Sequence, residues 1–194
     1  RAIDADPSSL DAYGMLGQLY YEQGRLDDGR REFERLVGIQ PRAIAAHTML
    51  AIILKKMGQV DAAVARYEQV LLIDPEAAVA ANNLAWTFAE QKRNLSQAVN
   101  LARTARKHLP DQADVADTLA WLHHLTGADN LAVALLEECV AKAPANPLYR
   151  YHLGASLVGV GELARARAEL ERALALGEFP DREEAVGLLA KLKG

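Results

Sequence analysis

The sequence predicts an all-α protein made of stacked helical repeats, and two observations lead to this prediction. Five of its seven prolines recur at nearly equal intervals, at Pro7, Pro41, Pro75, Pro110 and Pro144. Their spacings of 34, 34, 35 and 34 residues are typical of arrays in which each structural unit packs on the next. Alanine and leucine are abundant and β-branched residues are sparse, which favours helices over strands.

The first helix of each unit is indicated by a leucine followed four residues later by another large side chain. Leu16 precedes Tyr20 in this way and Leu50 precedes Leu54, so each pair lies on one helix face. A small residue beside each leucine, such as Gly17, lets a neighbouring helix approach closely. A glycine then ends the first helix in a left-handed turn, a second helix follows, and proline ends the unit. These glycines are Gly24, Gly58, Gly127 and Gly161.

The third unit departs from this pattern. It has Lys92, Arg93 and Asn94 where other units have glycine, and it is one residue longer. Asparagine adopts the left-handed conformation at modest cost, so we expect Asn94 to keep the turn.

A single further helix is expected after the fifth unit, from Asp181 to Leu192. Asp181 and Glu184 have the spacing of an N-terminal capping box. We interpret this helix as a cap on the array, packed through five apolar residues: Ala185, Val186, Leu188, Leu189 and Leu192.

When the units are aligned on their prolines, the same residue types recur at the same positions, which we call columns. These columns resemble those of the tetratricopeptide repeat (TPR) family across essentially the whole chain. The resemblance implies an α-solenoid of antiparallel helix pairs wound into a right-handed superhelix that serves protein–protein interaction. It divides the chain into five repeats at residues 10–43, 44–77, 78–112, 113–146 and 147–180. Residues 1–9 would end a truncated preceding repeat, and residues 181–194 would form the C-terminal capping helix.

Several runs also resemble the C-terminal part of bacterial TPR lipoproteins associated with exosortase/PEP-CTERM sorting and exopolysaccharide loci. They include NNLAW at 82–86, DTLAW at 117–121, YRYHLG at 149–154 and ALALGEFP at 173–180. Membership would imply a location in the bacterial cell envelope, periplasmic or lipoprotein-anchored, with the cytoplasm as the alternative. The chain begins at Arg1 rather than methionine, so we expect a longer protein whose targeting signal would lie upstream.

The resemblance to the TPR family also implies where a ligand would bind, because the first helix of each TPR repeat lines the concave groove. Both tryptophans, Trp86 and Trp121, fall in one column of that groove, and Tyr151 lies close in the next unit. Such residues provide large contact areas at low entropic cost, which favours binding, and the alternative is that the tryptophans fill space between neighbouring first helices. The candidate groove residues are Gln18, Tyr21, Ile52, Lys55, Asn82, Asn83, Trp86, Asp117, Trp121, His124, Tyr151 and His152.

Other polar and reactive residues are expected to be structural. His123 occupies a large apolar column and Cys139 a small-residue column of a second helix, so we expect both to be packed. The charges between Arg165 and Arg172 should form a solvated helix face with local ion pairs. We find no metal-binding motif, no phosphate-binding glycine loop and no nucleophile with a base, and therefore predict no cofactor and no enzyme activity.

The composition narrows the class of partner. The net charge is −4, which argues against nucleic acid as the main partner. No apolar run approaches the ~18 residues needed to span a bilayer, so we expect no direct membrane insertion. We therefore predict a non-catalytic module that binds a peptide or extended protein segment. A structural scaffold or spacer in a polysaccharide-export or secretion complex is an alternative, as is a regulatory array attached to an upstream catalytic domain. The sequence leaves the oligomeric state open.

Overall fold

The computed structural model describes residues 15–192, apart from residues 18 and 21. The chain forms two compact units, an N-terminal unit that ends at Thr87 and a C-terminal unit that begins at Phe88. The helices are α1 (Leu26–Ile39), α2 (Ile44–Lys56), α3 (Val60–Ile73), α4 (Ala78–Glu90), α5 (Leu95–His108), α6 (Ala113–Leu125), α7 (Asp129–Lys142), α8 (Pro147–Gly159), α9 (Leu163–Ala175) and α10 (Arg182–Lys191). Residues 15–17, 19, 20 and 22 are also helical. The all-α prediction is confirmed.

The turns between the helices are those that the sequence predicts. Gly24, Gly58, Gly127 and Gly161 have φ angles of 65°, 76°, 79° and 81°, the left-handed region in which glycine carries no steric penalty. The longer helices α1, α3, α5 and α7 each end two residues before one of the periodic prolines. Since proline cannot continue a helix, it limits these helices at the same point of every period.

The turn between α4 and α5 replaces glycine with two left-handed residues. Asn94 has φ 51° and ψ 32°, as predicted from its residue type. Lys92, for which we predicted no special conformation, has φ 49°. A lysine pays a steric penalty in this region because its Cβ crowds the backbone.

Small residues let successive helices of the C-terminal unit pack closely. Gly154 on α8 is buried, and a Cβ added there would lie 2.8 Å from Cγ of Leu170 on α9. Ala120 on α6 is fully buried in a core with Leu136 and Leu153 of the next two helices. α8 packs against both α6 and α10, so these three helices form one layer, here called the inner layer.

The cap helix α10 differs from its prediction in two respects. Asp181 precedes the helix, but its side chain makes no capping hydrogen bond, so the predicted capping box is wrong. Ala185 and Leu189 are buried as expected, and Leu188 and Leu192 pack partly against the core. Val186 is 46% exposed, because at 100° per residue it points away from the face that carries Ala185 and Leu189.

The charged segment of α9 is a solvated face, as predicted. Nε of Arg167 donates a hydrogen bond to Glu171 at 2.9 Å, and Arg172 pairs with Glu169. Glu169 also accepts a hydrogen bond from Arg150 of α8, so it joins two helices in addition to its local pair.

No helix among residues 15–17, 19, 20 and 22–192 is long and apolar enough to cross a membrane.

Candidate functional site

The predicted groove residues fall in both units and are described unit by unit. Gln18 and Tyr21 lie outside the described residues. In the N-terminal unit, Ile52 and Lys55 are half-buried on α2. Three more predicted residues, Asn82, Asn83 and Trp86, are half-buried on α4.

The two asparagines of α4 differ in what they bind. Nδ2 of Asn83 donates a hydrogen bond to the carbonyl oxygen of Val79 one turn earlier, at 2.8 Å. This amide is therefore already engaged by its own helix. The Oδ1 atom of Asn82 is buried and has no hydrogen-bond partner within the described part of the chain.

In the C-terminal unit, the structure gathers the other four predicted residues around Trp121. The indole of Trp121 stacks on the imidazole of His152, with ring centroids 4.1 Å apart and planes inclined by 18°. It also stacks on His124 of its own helix, with centroids 4.8 Å apart and planes inclined by 25°. Tyr151 lies 5.7 Å away in a tilted arrangement, within the range at which aromatic rings attract one another. Trp121 itself is half-buried, so part of its ring remains accessible.

Each histidine of this cluster is fixed by a carboxylate. Nδ1 of His152 lies 2.7 Å from Oδ1 of Asp117, and Nδ1 of His124 lies 2.6 Å from Oδ1 of Asp129. A neutral imidazole donates through this nitrogen to the carboxylate, which fixes the orientation of the ring. The stacked rings on Trp121 are therefore held in place by hydrogen bonds as well as by packing.

Three of the predicted groove residues are buried, which corrects the expectation that they line an open surface. Asp117 is 4% exposed, Tyr151 6% and His152 is fully buried. The physical reason is that α8 packs directly against α6, so side chains at this seam face the neighbouring helix. These three side chains therefore pack between helices, and Trp121 and His124 are the partly accessible members of the cluster.

The aromatic cluster continues to a residue that the sequence analysis did not include. Phe179, just before α10, is half-buried and its ring centroid lies 5.9 Å from that of Tyr151. Both Phe179 and Trp121 pack against the core formed by α8, α9 and α10. The sequence signal that could have identified Phe179 is its position in the GEFP run at 177–180, where the proline period is lost.

Burial and the charges of carboxylates shift two pKa values at this end of the cluster. Burial raises the pKa of the Tyr151 hydroxyl to about 12, and the charges of Asp181 and Glu184 contribute in the same direction. The pKa of Asp181 is raised, first by burial, against the opposing effect of His152. The negative charges of Glu184, Glu90 and Asp117 add to this increase.

Asp129 is a second residue that sequence reasoning missed. It begins α7, and its carboxylate occupies the space beside Gly159 of α8, where any Cβ would clash with it. Its side chain is 16% exposed while that of His124 is 25% exposed. The spacing of five residues across a helix boundary gives no periodic signal, so the pair could not be predicted from columns.

Residues predicted to be structural are buried as expected. Cys139 is fully buried, its Sγ lies 3.3 Å from the carbonyl oxygen of Ala113, and burial raises its pKa to about 12. His123 is 6% exposed, and burial lowers its pKa with a smaller contribution from Arg103. Within the described ranges, no three His, Cys, Asp or Glu side chains are arranged to hold a metal ion.

Comparison with known proteins identifies the repeats. Two tetratricopeptide repeat family models match, one at residues 1–53 and one at residues 48–95. No curated protein sequence matches the chain.

Solved structures with the same fold cover nearly the whole chain. PilF of Pseudomonas aeruginosa is 20% identical with a TM-score of 0.72, over 94% of this chain and 88% of PilF. PilW, described as a widely conserved type IV pilus biogenesis factor, is 19% identical with a TM-score of 0.71, over 94% and 90%. A thermophilic TPR protein of Thermus thermophilus is 22% identical with a TM-score of 0.66, over 95% and 99%. These likenesses confirm the predicted α-solenoid class. The chain is a tetratricopeptide repeat protein.

Proposed function

We propose that this chain is a non-catalytic module that binds an extended segment of a protein partner against the inner layer of its C-terminal unit. One observation carries the proposal: Trp121 is accessible yet held in a fixed orientation. Its indole stacks on His152 and His124. These two imidazole rings are hydrogen-bonded to Asp117 and Asp129, respectively. A rigid aromatic side chain loses little entropy on binding, which is why tryptophan is enriched among residues that dominate interface energies.

We propose a separate contact on α4 of the N-terminal unit, here called the α4 strip, which consists of Asn82, Asn83 and Trp86. The half-buried Trp86 has the same amphipathic ring as Trp121, so part of it is accessible to a partner.

The test is a binding measurement on an array of short random peptides, from which the strongest binders are resynthesised with a fluorescent label. Truncating Trp121 to alanine should weaken binding of these peptides by about tenfold or more, as expected for a central interface tryptophan. Leu163→Ala is the matched control, because Leu163 is 50% exposed on α9, outside the inner layer. Circular dichroism of each variant checks that helical content is unchanged.

Equal affinity of wild type and Trp121→Ala would contradict the proposed site. Equal losses in Trp121→Ala and Leu163→Ala would also contradict it, because the effect would not be specific to the inner layer. The contribution of the α4 strip is read separately from Trp86→Ala.

We also propose that the module works in a bacterial envelope, export or assembly system. Two observations support this: the resemblance of the 82–86, 117–121 and 173–180 runs to TPR lipoproteins, and the likeness in fold to a type IV pilus biogenesis factor. Cell fractionation of the full-length protein tests it. Recovery in the membrane or periplasmic fraction is the expected result, and recovery in the cytoplasm alone would contradict it.

A further inference from the structure

One face of the C-terminal unit combines aromatic rings with negative charge, and we call it the acidic-aromatic face. It consists of Trp121, Tyr151, Phe179, Asp181 and Glu184. The rings of Trp121, Tyr151 and Phe179 form a continuous series, with centroid separations of 5.7 Å and 5.9 Å. Trp121 and Phe179 are half-buried, so the series has an accessible edge on the inner layer.

The carboxylates lie beside this edge. Asp181 immediately precedes α10 and is half-buried, while Glu184 in the first turn of α10 is exposed. Asp181 follows Phe179 by two residues, and Glu184 directly precedes Ala185, which packs in one core with Tyr151. Both carboxylates therefore lie near this end of the aromatic series, and their charges contribute to the raised pKa of the Tyr151 hydroxyl. Glu90 at the end of α4 adds a third carboxylate that acts on Asp181.

Arg150 and Arg182, on the same elements, each lie beside a different carboxylate, Glu169 and Glu178. Arg150 of α8 donates to Glu169 and to the carbonyl oxygen of Pro144. Arg182 of α10 lies 3.5 Å from Glu178. The charges that contribute to the raised pKa of Tyr151 are those of Asp181 and Glu184, and both are negative. These two carboxylates beside the accessible edge favour a cationic side chain over an anionic one.

A lysine or arginine side chain matches both properties of this face. Its methylene stem packs on apolar and aromatic surface while its charged head stays near water and anionic groups. Acidic or neutral side chains would match only the rings, and an acidic one would be repelled by the neighbouring carboxylates.

We propose that the acidic-aromatic face binds a partner segment that carries a lysine or arginine, with the stem on the rings and the cationic head beside Asp181 and Glu184. The inference rests on the proposed function, and it specifies the chemistry of the partner. The rings supply contact area, and the carboxylates select the sign of the charge.

Three short peptide libraries test the selection on the whole chain. They share the same random positions and differ in one fixed pair of residues, which is lysine, glutamine or glutamate. Binding of each labelled library is measured by fluorescence polarisation at low and at physiological salt. The lysine library should bind best, and its advantage should shrink with added salt because the carboxylates near the edge are exposed to screening.

The variant Asp181→Asn/Glu184→Gln removes the selecting charges while keeping the side-chain shapes. It should weaken binding of the lysine library by about three- to tenfold and leave the glutamine library unchanged. Glu171→Gln on α9 is the control, since Glu171 is exposed and paired with Arg167 outside this face.

The outcomes separate this inference from the proposed function. If the glutamine or glutamate library binds as well as the lysine library, and Trp121→Ala abolishes that binding, the charge selection is refuted and the binding site stands. The charge selection is equally refuted if the double variant binds the lysine library as the wild type does. If no library binds, or Trp121→Ala has no effect on any of them, both the inference and the proposed function fail.

Discussion

His152 and Asp117 form a buried hydrogen bond between two inner-layer helices, with Nδ1 of the histidine 2.7 Å from Oδ1 of the aspartate. The two residues come from successive repeats and lie 35 positions apart. The bond supports the ring that stacks most closely on Trp121. Stability and the orientation of the candidate binding residue are therefore coupled in one contact.

Removing the carboxylate of this pair should destabilise the protein. Asp117→Ala leaves the buried imidazole of His152 without its partner at Nδ1, and we expect a loss of about 2–3 kcal/mol in the free energy of unfolding. Asp114→Ala on the same helix is the control, because Asp114 is exposed and should change stability by less than about 0.5 kcal/mol. Urea denaturation followed by circular dichroism measures both, and equal stability of the two variants would disprove the structural role.

Two glycines in helices should respond in opposite directions to alanine. At Gly154 a Cβ would lie 2.8 Å from Cγ of Leu170 and 3.3 Å from the backbone oxygen of Ala166. We expect Gly154→Ala to cost about 1–2 kcal/mol, because overpacking outweighs the better helix propensity of alanine. At Gly187 in α10 nothing lies within 4 Å of the added Cβ, so Gly187→Ala should stabilise by about 0.5–1 kcal/mol. Thermal unfolding compares the two, and a shift of the same sign in both would contradict the packing argument.

The turn after α4 offers a stabilising substitution. Lys92 has φ 49°, where a lysine is strained and glycine is not. Relief of this strain exceeds the entropic cost of glycine in the unfolded chain, so Lys92→Gly should raise the free energy of unfolding by about 0.5–1 kcal/mol. Arg103→Gly is the control, because it places glycine in the interior of α5 where no strain is relieved. This variant should lower the free energy of unfolding by about 1 kcal/mol. A lower melting temperature for Lys92→Gly than for the wild type would contradict the prediction that the left-handed conformation strains Lys92.

Cys139 should be chemically inert in the folded protein. Its thiol is fully buried, and its pKa is raised from 9.0 to about 12, chiefly by burial. At pH 8 the thiolate, which is the reactive form, is therefore scarcer than in the unfolded chain. Ellman's reagent should label Cys139 only after urea is added, and stoichiometric labelling of the native protein within minutes would contradict this.

The same shift has a consequence for stability at high pH. The folded state holds the thiol proton more tightly than the unfolded state, so the stabilising contribution is complete below about pH 9. It is lost as pH rises from about 9 towards 12. Cys139→Ala should therefore lose less stability between pH 8 and pH 10.5 than the wild type, as measured by urea denaturation at the two pH values.

The sequence predicted the repeating features because each depends on one residue type at a fixed period. Glycine at the end of a unit's first helix, as at Gly58 or Gly161, predicted a left-handed turn. Buried small residues such as Gly154 were predicted from their position beside a leucine. The same reasoning failed at Val186 and at the Asp181 capping box. Both lie beyond the last regular repeat, where no column fixes the register.

The candidate site stays a prediction, and sequence reasoning chose its residues by column without determining which of them are exposed. Trp121 was selected from its column, and the structure shows it accessible on the inner layer. Asp117, Tyr151 and His152 were selected by the same reasoning but are buried at the seam between α6 and α8. Phe179 and Asp129 were missed because they contact the cluster from outside the periodic pattern.

By itself, the sequence determined the helical class, the turns and the family, because these follow from local backbone preferences and from a period that repeats along the chain. Only the tertiary structure decided which side chains are accessible and which are paired. Adjacent helix positions differ in direction by about 100°, so a small change in how α8 packs on α6 determines whether a residue such as His152 faces solvent or its neighbour. The rings around Trp121 and the carboxylates beside them come together only through that packing.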